Sequence, residues 1–215
     1  MMKKTTFILS FVLITTLVIA QNSVEAKSLL DKTYNEYIAS NGINLSFSST
    51  YIDANGNEFN SEDGEAYIKG DKFRLEMETM NIWFDGDTQW VLLKDLDEVN
   101  ISNPTENELT SISPLALLGL YKEGFALKDP QTRNVNGTES FVIEMTPTNE
   151  KGDFKKISVI INKAHTRLLQ ANLTMQNNSI NRIDIKSYNS NYKFGDSEFK
   201  FDKSKYPTVE VIDLR

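Results

Sequence analysis

The segment from residue 63 to residue 101 alternates apolar and polar side chains between tight turns. Turns are predicted at Lys69-Gly70-Asp71 and Asp85-Gly86-Asp87, because Gly-Asp and Asp-Gly pairs tolerate the positive φ angles of hairpins. From residue 73 to residue 77, Phe, Leu and Met occupy the odd positions and charged residues the even ones. A strand with this period has one apolar face and one charged face. The segment therefore predicts short antiparallel strands in a sheet that offers an apolar surface.

The N-terminus predicts export. Lys3 and Lys4 form a short basic start, and residues 7–20 are almost wholly apolar, as in a cleaved signal peptide. We expect residues 1–20 to be removed near Ala20. The alternative is a permanent N-terminal anchor, for which the apolar run is short.

Length and composition narrow the class of protein. Residues 21–215 have the length of a single domain. The chain has no cysteine, so it carries neither a disulfide nor a cysteine-linked lipid. Its net charge of -7 argues against nucleic acid or an anionic membrane surface as the main partner.

Two helices are predicted. Apolar residues at helical spacing from Ser23 to Ser40 indicate the first, which Asn41-Gly42 ends. Ser113 as N-cap and Pro114 as first helical residue begin the second. Residues 115–121 are apolar nearly all the way round, so this helix is expected to be buried on more than one side. Two interpretations stay open, an ordinary core helix packed on the sheet and a lid over a binding cavity.

Strand patterns fill most of the remaining chain. They are predicted at 43–52, at 135–145 through the turn Asn136-Gly137, at 157–161, 169–175 and 183–185, and as an edge strand within 199–214. About ten strands at hairpin spacing, with two substantial helices, predict a mainly β chain. The expected architecture is an antiparallel barrel or a strongly curved sheet.

The sequence offers no set of residues for catalysis or metal binding. His165, the single histidine, stands in a polar turn and is interpreted as solvated rather than as part of a Ser/His/Asp arrangement. The run that starts at Asp53 resembles the start of a calcium loop but lacks the required glycine and final glutamate. Asp85 and Asp87 are interpreted as solvated turn residues rather than as a hydrolytic pair. We therefore expect no enzyme activity, no metal and no cofactor.

Trp83 and Trp90 flank the turn at 85–87, one on each arm. Their side chains could pack against each other across the strands, as aromatic pairs commonly do. They could equally line a cavity for an apolar guest. Both interpretations stay open, and both residues are kept among the candidate cavity residues.

Four stretches of the chain resemble the LolA-type outer-membrane lipoprotein carriers. These are residues 64–69, 72–76, 84–90 and 97–99, which match in order and spacing the family's glycine-led strand, its Phe-Arg strand, its Asp-Gly hairpin with tryptophan and the acidic residue that follows. The resemblance implies an unclosed antiparallel half-barrel of about ten strands, covered by two or three helices. It also implies a hydrophobic lumen for lipoprotein acyl chains.

The resemblance further implies a non-enzymatic periplasmic carrier, expected as a monomer. Its partners would be lipidated proteins, an inner-membrane ABC transporter that releases them and an outer-membrane acceptor. A periplasmic lipid- or glycolipid-binding protein of envelope assembly is the alternative, and an exported hydrolase is a third. In the family an arginine near the position of Lys72 ties the lid shut. Gly70 occupies the matching position here, so this latch is not implied.

Apolar side chains on the predicted strands and helices are the candidates for the cavity and its lid. We expect residues 115–120 to occupy the lumen when it is empty and to swing aside when it is filled. The candidate residues are Leu30, Tyr34, Leu45, Phe47, Phe73, Leu75, Met77, Trp83, Trp90, Leu115, Leu117, Leu118 and Tyr121.

Overall fold

The computed structural model describes residues 23–105, 108–109, 114–122, 124–149 and 152–215, and it describes the backbone alone for residues 114–116 and 196. The predicted signal peptide at 1–20 and the predicted N-cap Ser113 lie outside the described residues.

One mixed sheet dominates the described part of the chain. Its strands are β1 Ile43–Ile52, β2 Glu58–Lys69, β3 Lys72–Met77, β4 Met80–Phe84, β5 Gln89–Leu93, β6 Glu98–Ser102, β7 Phe125–Leu127, β8 Gln131–Val135, β9 Thr138–Pro147, β10 Phe154–Asn162, β11 Leu168–Met175, β12 Ile180–Asn189 and β13 Glu210–Asp213. Their order is β13-β6-β5-β4-β3-β2-β1-β12-β11-β10-β9-β7, and β8 pairs with β9 beside this path. The predicted fold class, a mainly β, unclosed sheet with few helices, is confirmed.

The sheet differs from the prediction in two details. It has 13 strands rather than about ten, because the short strands β7 and β8 were not separated in the sequence pattern. Strand β13 runs parallel to β6, whereas the other strand pairs are antiparallel. Hairpin turns force antiparallel pairing, but a long crossing segment precedes β13 and allows the parallel arrangement.

Helix α1, Val24–Ala39, begins where the prediction placed it. The Ser23 hydroxyl accepts a hydrogen bond of 3.1 Å from the backbone N–H of Ala26, so Ser23 is a true N-cap. Ala26, Leu30, Thr33 and Tyr37 form the buried stripe of the helix. This stripe packs on the face of the sheet that we call the inner face.

Helix α2, Pro114–Gly119, is followed by a 3-10 turn, Leu120–Lys122, and both lie against α1. Leu117, Leu118 and Tyr121 are buried in the same core as the inner face of the sheet. A Cβ atom on Gly119 would lie 3.3 Å from the Tyr34 ring, so the glycine permits the close approach of the two helices. The two helices together roof the inner face.

The outer face of β4–β6 carries a second, separate core. Trp83, Leu92, Val99 and Val209 are buried there, with Trp90, Phe201 and Tyr206 packed against them. The chain after β12 supplies the cover, since the Trp83 ring meets Phe201 at 5.6 Å and Tyr206 at 6.0 Å between centroids. The C-terminal segment therefore closes the outer face with aromatic packing, while the helices cover the inner face.

Gly64 fixes the position of the Phe47 ring on the inner face. The two residues are direct partners in the β1–β2 register, and a Cβ atom on Gly64 would lie 2.6 Å from Cζ of Phe47. Contacts under 3 Å force movement, and the carbonyl oxygen of Glu76 at 3.0 Å restricts the other side. The missing side chain thus lets the aromatic ring lie flat against the strand.

We expect Gly64→Ala to lower the free energy of unfolding by about 1–3 kcal/mol, because the added methyl group overpacks a filled site. Urea unfolding followed by circular dichroism measures the effect. Gly152→Ala is the control, since no atom lies within 4 Å of the position that its new methyl group would take. Equal stability of the two variants would contradict the proposed packing of Phe47.

Candidate functional site

A cavity of about 320 Å³ lies between the inner face of the sheet and the two helices. Its wall is mainly aliphatic, aromatic or methionine side chains, with a few polar residues. The lining residues are Tyr37, Leu45, Phe47, Ser49, Ala66, Leu75, Met77, Met80, Ile82, Leu117, Leu118, Asp153, Phe154, Leu168, Ala171, Leu173, Met175, Asn181, Ile183 and Ile185. Concave apolar sites with few polar groups are typical of binding sites for small hydrophobic ligands.

The cavity has two different ends. Tyr37, Leu45 and Leu168 are buried at 2%, 2% and 6% exposure, and we call their end the inner end. Exposed Asp153 and half-buried Asn181 line the opposite end, which we call the mouth. The seven residue steps of β11 from Leu168 to Met175 correspond to roughly 23 Å. The cavity is therefore elongated along the strands.

The structure brings six of the predicted site residues to the cavity wall. They are Leu45, Phe47, Leu75, Met77, Leu117 and Leu118. Leu30 and Phe73 are buried in the adjoining core without lining the cavity, and the Phe73 ring lies 5.4 Å from that of Phe84. The side chain of Leu115 lies outside the described residues.

Trp83 and Trp90 do not line the cavity. The two are direct partners in the β4–β5 register, so they share one face of the sheet. Trp83 also pairs with Arg74, whereas Leu75 of the cavity wall pairs with Ile82. Strand alternation therefore sends both tryptophans to the outer face. Of the two interpretations of these residues, the structure shows packing and excludes a role in the cavity wall.

Tyr34 and Tyr121 join the two helices rather than line the cavity. The Tyr121 hydroxyl donates a 2.6 Å hydrogen bond to Oδ1 of Asp31, and Lys27 donates one of 2.8 Å to Oδ2. Lys122 lies over the Tyr34 ring, with Nζ 3.3 Å from the centroid. These contacts tie the segment after α2 to α1.

Charge and burial reinforce the contact between the helices. The hydrogen bonds from Lys27 and then Tyr121 hold the pKa of the Asp31 carboxyl below its ordinary value. Burial, and next the bond to Asp31, raises the pKa of Tyr121. Gly70, which stands where the resembled family has an arginine, lies in the β2–β3 turn with φ of 62°. A glycine suits that left-handed backbone.

The sequence-based prediction did not include many of the residues that line the cavity. Strands β10, β11 and β12 contribute Phe154, Leu168, Ala171, Leu173, Met175, Ile183 and Ile185. The alternation from 169 to 175 was visible, but a register shift between Ile160 and Ile161 brings Leu168 rather than Leu169 to the wall. Tyr37 was recognised as part of the helix, and its spacing from Leu30 and Tyr34 was the available signal for its position.

Tyr37, at the inner end of the cavity, has a fully buried hydroxyl. Among the described residues, the Tyr37 oxygen has no hydrogen-bond partner. Burial, and next the neighbouring Tyr188, raises the pKa of Tyr37, while the charge of Arg167 lowers it in part. The Tyr37 and Tyr188 rings meet edge to face at 5.6 Å. The group is therefore a neutral phenol that can donate a hydrogen bond.

The groups considered for catalysis lie apart from this cavity. His165 is exposed in the turn between β10 and β11. Asp85 lies in the β4–β5 turn, where its Oδ1 accepts a 3.0 Å hydrogen bond from the backbone of Thr88 and Oδ2 pairs with Lys200 at 3.1 Å. Within the described part of the chain, no group of three or more His, Cys, Asp or Glu residues is placed to hold a metal ion.

Comparison with solved structures finds similar chains at low sequence identity. An uncharacterized conserved protein from Thermus thermophilus is 10% identical, with a TM-score of 0.58 over 87% of this chain and 98% of that one. A LolA superfamily protein from Nitrosomonas europaea is 10% identical, with a TM-score of 0.45 over 83% of this chain and 99% of that one. A putative outer membrane lipoprotein-sorting protein domain from Vibrio parahaemolyticus is 12% identical, with a TM-score of 0.45 over 84% and 99%. The likeness to the Thermus protein supports the fold alone.

Sequence comparison identifies the family. No curated protein matches the chain. Among the described residues, no helix is both long enough and apolar enough to cross a bilayer. The family profile for "Outer membrane lipoprotein carrier protein LolA" matches residues 16–189, which include α1, α2 and every strand that lines the cavity. The chain therefore belongs to the family of the outer membrane lipoprotein carrier protein LolA.

Proposed function

We propose that this protein is an exported, periplasmic carrier that binds the acyl chains of lipidated proteins in its cavity and moves them from the inner to the outer membrane. The observation that carries the proposal is the elongated apolar cavity under two helices in a chain of the LolA family. The carrier performs no chemical reaction and acts as a monomer. Its partners are an inner-membrane ABC transporter that releases lipoproteins and an outer-membrane acceptor.

The free energy of burying hydrocarbon determines how much shielding such a carrier must provide. Each methylene group removed from water contributes about 0.8 kcal/mol, so a chain of ~16 carbons carries on the order of 10 kcal/mol. An acylated protein needs shielding of that size to cross an aqueous space. The leucine, isoleucine and methionine wall of the cavity provides a surface of the right kind.

Release requires that the bound and empty states differ little in free energy. Leu117 and Leu118 line the cavity from α2, so their contacts with the wall can replace contacts with a guest. The volume of about 320 Å³ lies near the lower limit of ligand pockets, which is roughly 300 Å³. A larger guest therefore requires α2 to move away from the sheet, and we propose that α2 is the lid.

We expect Leu118→Asp to abolish binding of a fluorescent acyl probe, because a buried carboxylate opposes entry of hydrocarbon. Probe fluorescence measures binding, and circular dichroism establishes that the sheet is retained. Leu96→Asp is the matched control, since Leu96 is 66% exposed outside the cavity wall. Unchanged binding by a folded Leu118→Asp protein would contradict the lid.

The nature of the cargo is tested on protein purified from its own cell envelope. Native mass spectrometry that finds a bound lipoprotein supports the proposal. A bound free lipid or glycolipid instead favours a lipid-binding protein of envelope assembly. Turnover of an ester or glycoside by the purified protein would contradict the non-enzymatic role.

We expect Tyr121→Phe to speed the association of an acyl probe at neutral pH, because it removes the hydrogen bond that ties the lid segment to Asp31. Stopped-flow fluorescence measures the rate. Tyr206→Phe, on the outer face, is the control. Equal rates for the two variants would show that this contact does not restrain the lid.

The same contact predicts an effect of acid. The folded-state pKa of Asp31 is depressed, so its contribution is complete above the unfolded value of about 3.9 and is lost as the pH falls through the folded value. We expect the wild type to keep its slower rate down to about pH 4 and to approach the rate of Tyr121→Phe only as the pH falls further, through the depressed pKa of Asp31. A difference between the two proteins that persists in acid would contradict the role of the Asp31 carboxylate.

A further inference from the structure

Three of the four methionines in the described part of the chain line the cavity. We call Met77, Met80 and Met175 the wall methionines, whereas Met145 lies in the core with 1% exposure. Each wall methionine is half-buried, so it keeps some surface that water-sized molecules can reach. The chain has no cysteine, so methionine is its only residue type with sulfur. The wall methionines are therefore the first targets for an oxidant that enters this cavity.

Met175 lies at the mouth of the cavity. It is the direct partner of Phe154 in the β10–β11 register, and Phe154 follows Asp153, the exposed residue of the mouth. Direct partners share one face of a sheet, and both Met175 and Phe154 line the cavity. Contacts between thioether sulfur and aromatic rings are favourable, and flexible thioethers adapt to hydrocarbon of variable shape. The reduced side chain of Met175 is therefore an apolar part of the entrance.

Met77 and Met80 flank the turn between β3 and β4. In this turn, Thr79 donates hydrogen bonds to Oε1 of Glu62 from its backbone N–H at 2.7 Å and from its hydroxyl at 3.0 Å. Exposure rises along β3 toward the turn, from buried Leu75 to half-buried Met77. The hydrogen bonds thus hold two accessible thioethers at the edge of the cavity wall.

We propose that the wall methionines are an oxidation site that controls the binding of hydrocarbon. Hydrogen peroxide transfers one oxygen atom to the thioether: a sulfur lone pair forms the S–O bond, and the O–O bond breaks. Sulfur is oxidised by two electrons to the sulfoxide, and the peroxide is reduced to water. This inference rests on the proposed binding of hydrocarbon in the cavity and adds a means of regulation.

A sulfoxide changes the character of the wall because it is polar, whereas the thioether is apolar. Its oxygen accepts hydrogen bonds from water when the cavity is empty. A hydrocarbon chain displaces that water and offers no donor in return, so its binding becomes less favourable. The aliphatic side chains of the wall do not undergo this reaction. The wall methionines are therefore the part of the cavity whose polarity an oxidant can change.

The first test follows each methionine by peptide mass spectrometry after the purified protein is treated with hydrogen peroxide. We expect Met77, Met80 and Met175 to be oxidised before Met145, whose burial restricts access. Urea-denatured protein is the control, because all four side chains should react at similar rates when the fold is lost. Oxidation of Met145 as early as that of the other three in the folded protein would overturn the inference.

The same samples are then used to measure the binding of a fluorescent acyl probe. Oxidation of the wall methionines should weaken binding about tenfold, the effect expected when a polar group loses a hydrogen bond to water. Methionine sulfoxide reductases A and B should restore the affinity together, because each reduces one epimer of the sulfoxide. Unchanged affinity after complete oxidation of the three residues would contradict the inference.

A triple variant, with Met77→Leu, Met80→Leu and Met175→Leu, separates oxidation in the cavity from damage elsewhere. Leucine has a volume close to that of methionine and has no sulfur to oxidise. The affinity of each protein is compared before and after peroxide, so a different starting affinity does not affect the result. We expect the triple variant to keep its affinity and Met145→Leu, the control, to lose as much as the wild type. Equal losses in the triple variant and the wild type would overturn the inference.

The outcomes also distinguish this inference from the proposed function. If the reduced wild type does not bind the acyl probe, the proposed function fails, and the control by oxidation fails with it. If the reduced and the fully oxidised proteins bind the probe equally well, the cavity is a hydrocarbon site as proposed. In that case only the inference about the wall methionines is wrong.

Discussion

The inner face of the sheet is wider than the helices that cover it, and this mismatch creates the cavity. A 13-stranded sheet meets a helix of 16 residues and a helix of 6 residues. Apolar side chains on β1, β3, β11 and β12 thus remain partly uncovered by helix. Close packing is the normal state of a protein interior, so space of this size is a property of the architecture rather than a small defect. Such a cavity suits mobile hydrocarbon ligands, because the apolar contacts of its wall are not directional.

The two faces of the sheet are filled in different ways. On the outer face, Trp83, Phe201 and Tyr206 interlock at ring distances of 5.4–6.0 Å. Arg74 strengthens the same side, since its guanidinium stacks on Tyr67 and pairs with Glu198 at 2.7 Å. Most of this cover comes from the chain beyond residue 189, where the family match ends. The C-terminal segment therefore fills the outer face with its own packed core, whereas the inner face keeps a cavity.

The alternation of apolar and polar residues within single strands predicted much of this arrangement. The residues that it did not place depend on how the strands pair with one another. The pattern of β1 identified Leu45 and Phe47, and that of β3 identified Leu75 and Met77, because each strand reports its own two faces. The pattern of its own strand did not show on which face of the sheet Trp83 lies. That face depends on the register between strands, here the pairing of Trp83 with Arg74. Leu168 reaches the cavity wall because of a register shift that the sequence pattern does not show. The aromatic tail that buries Trp83 is distant in sequence, so its contribution was invisible to local pattern.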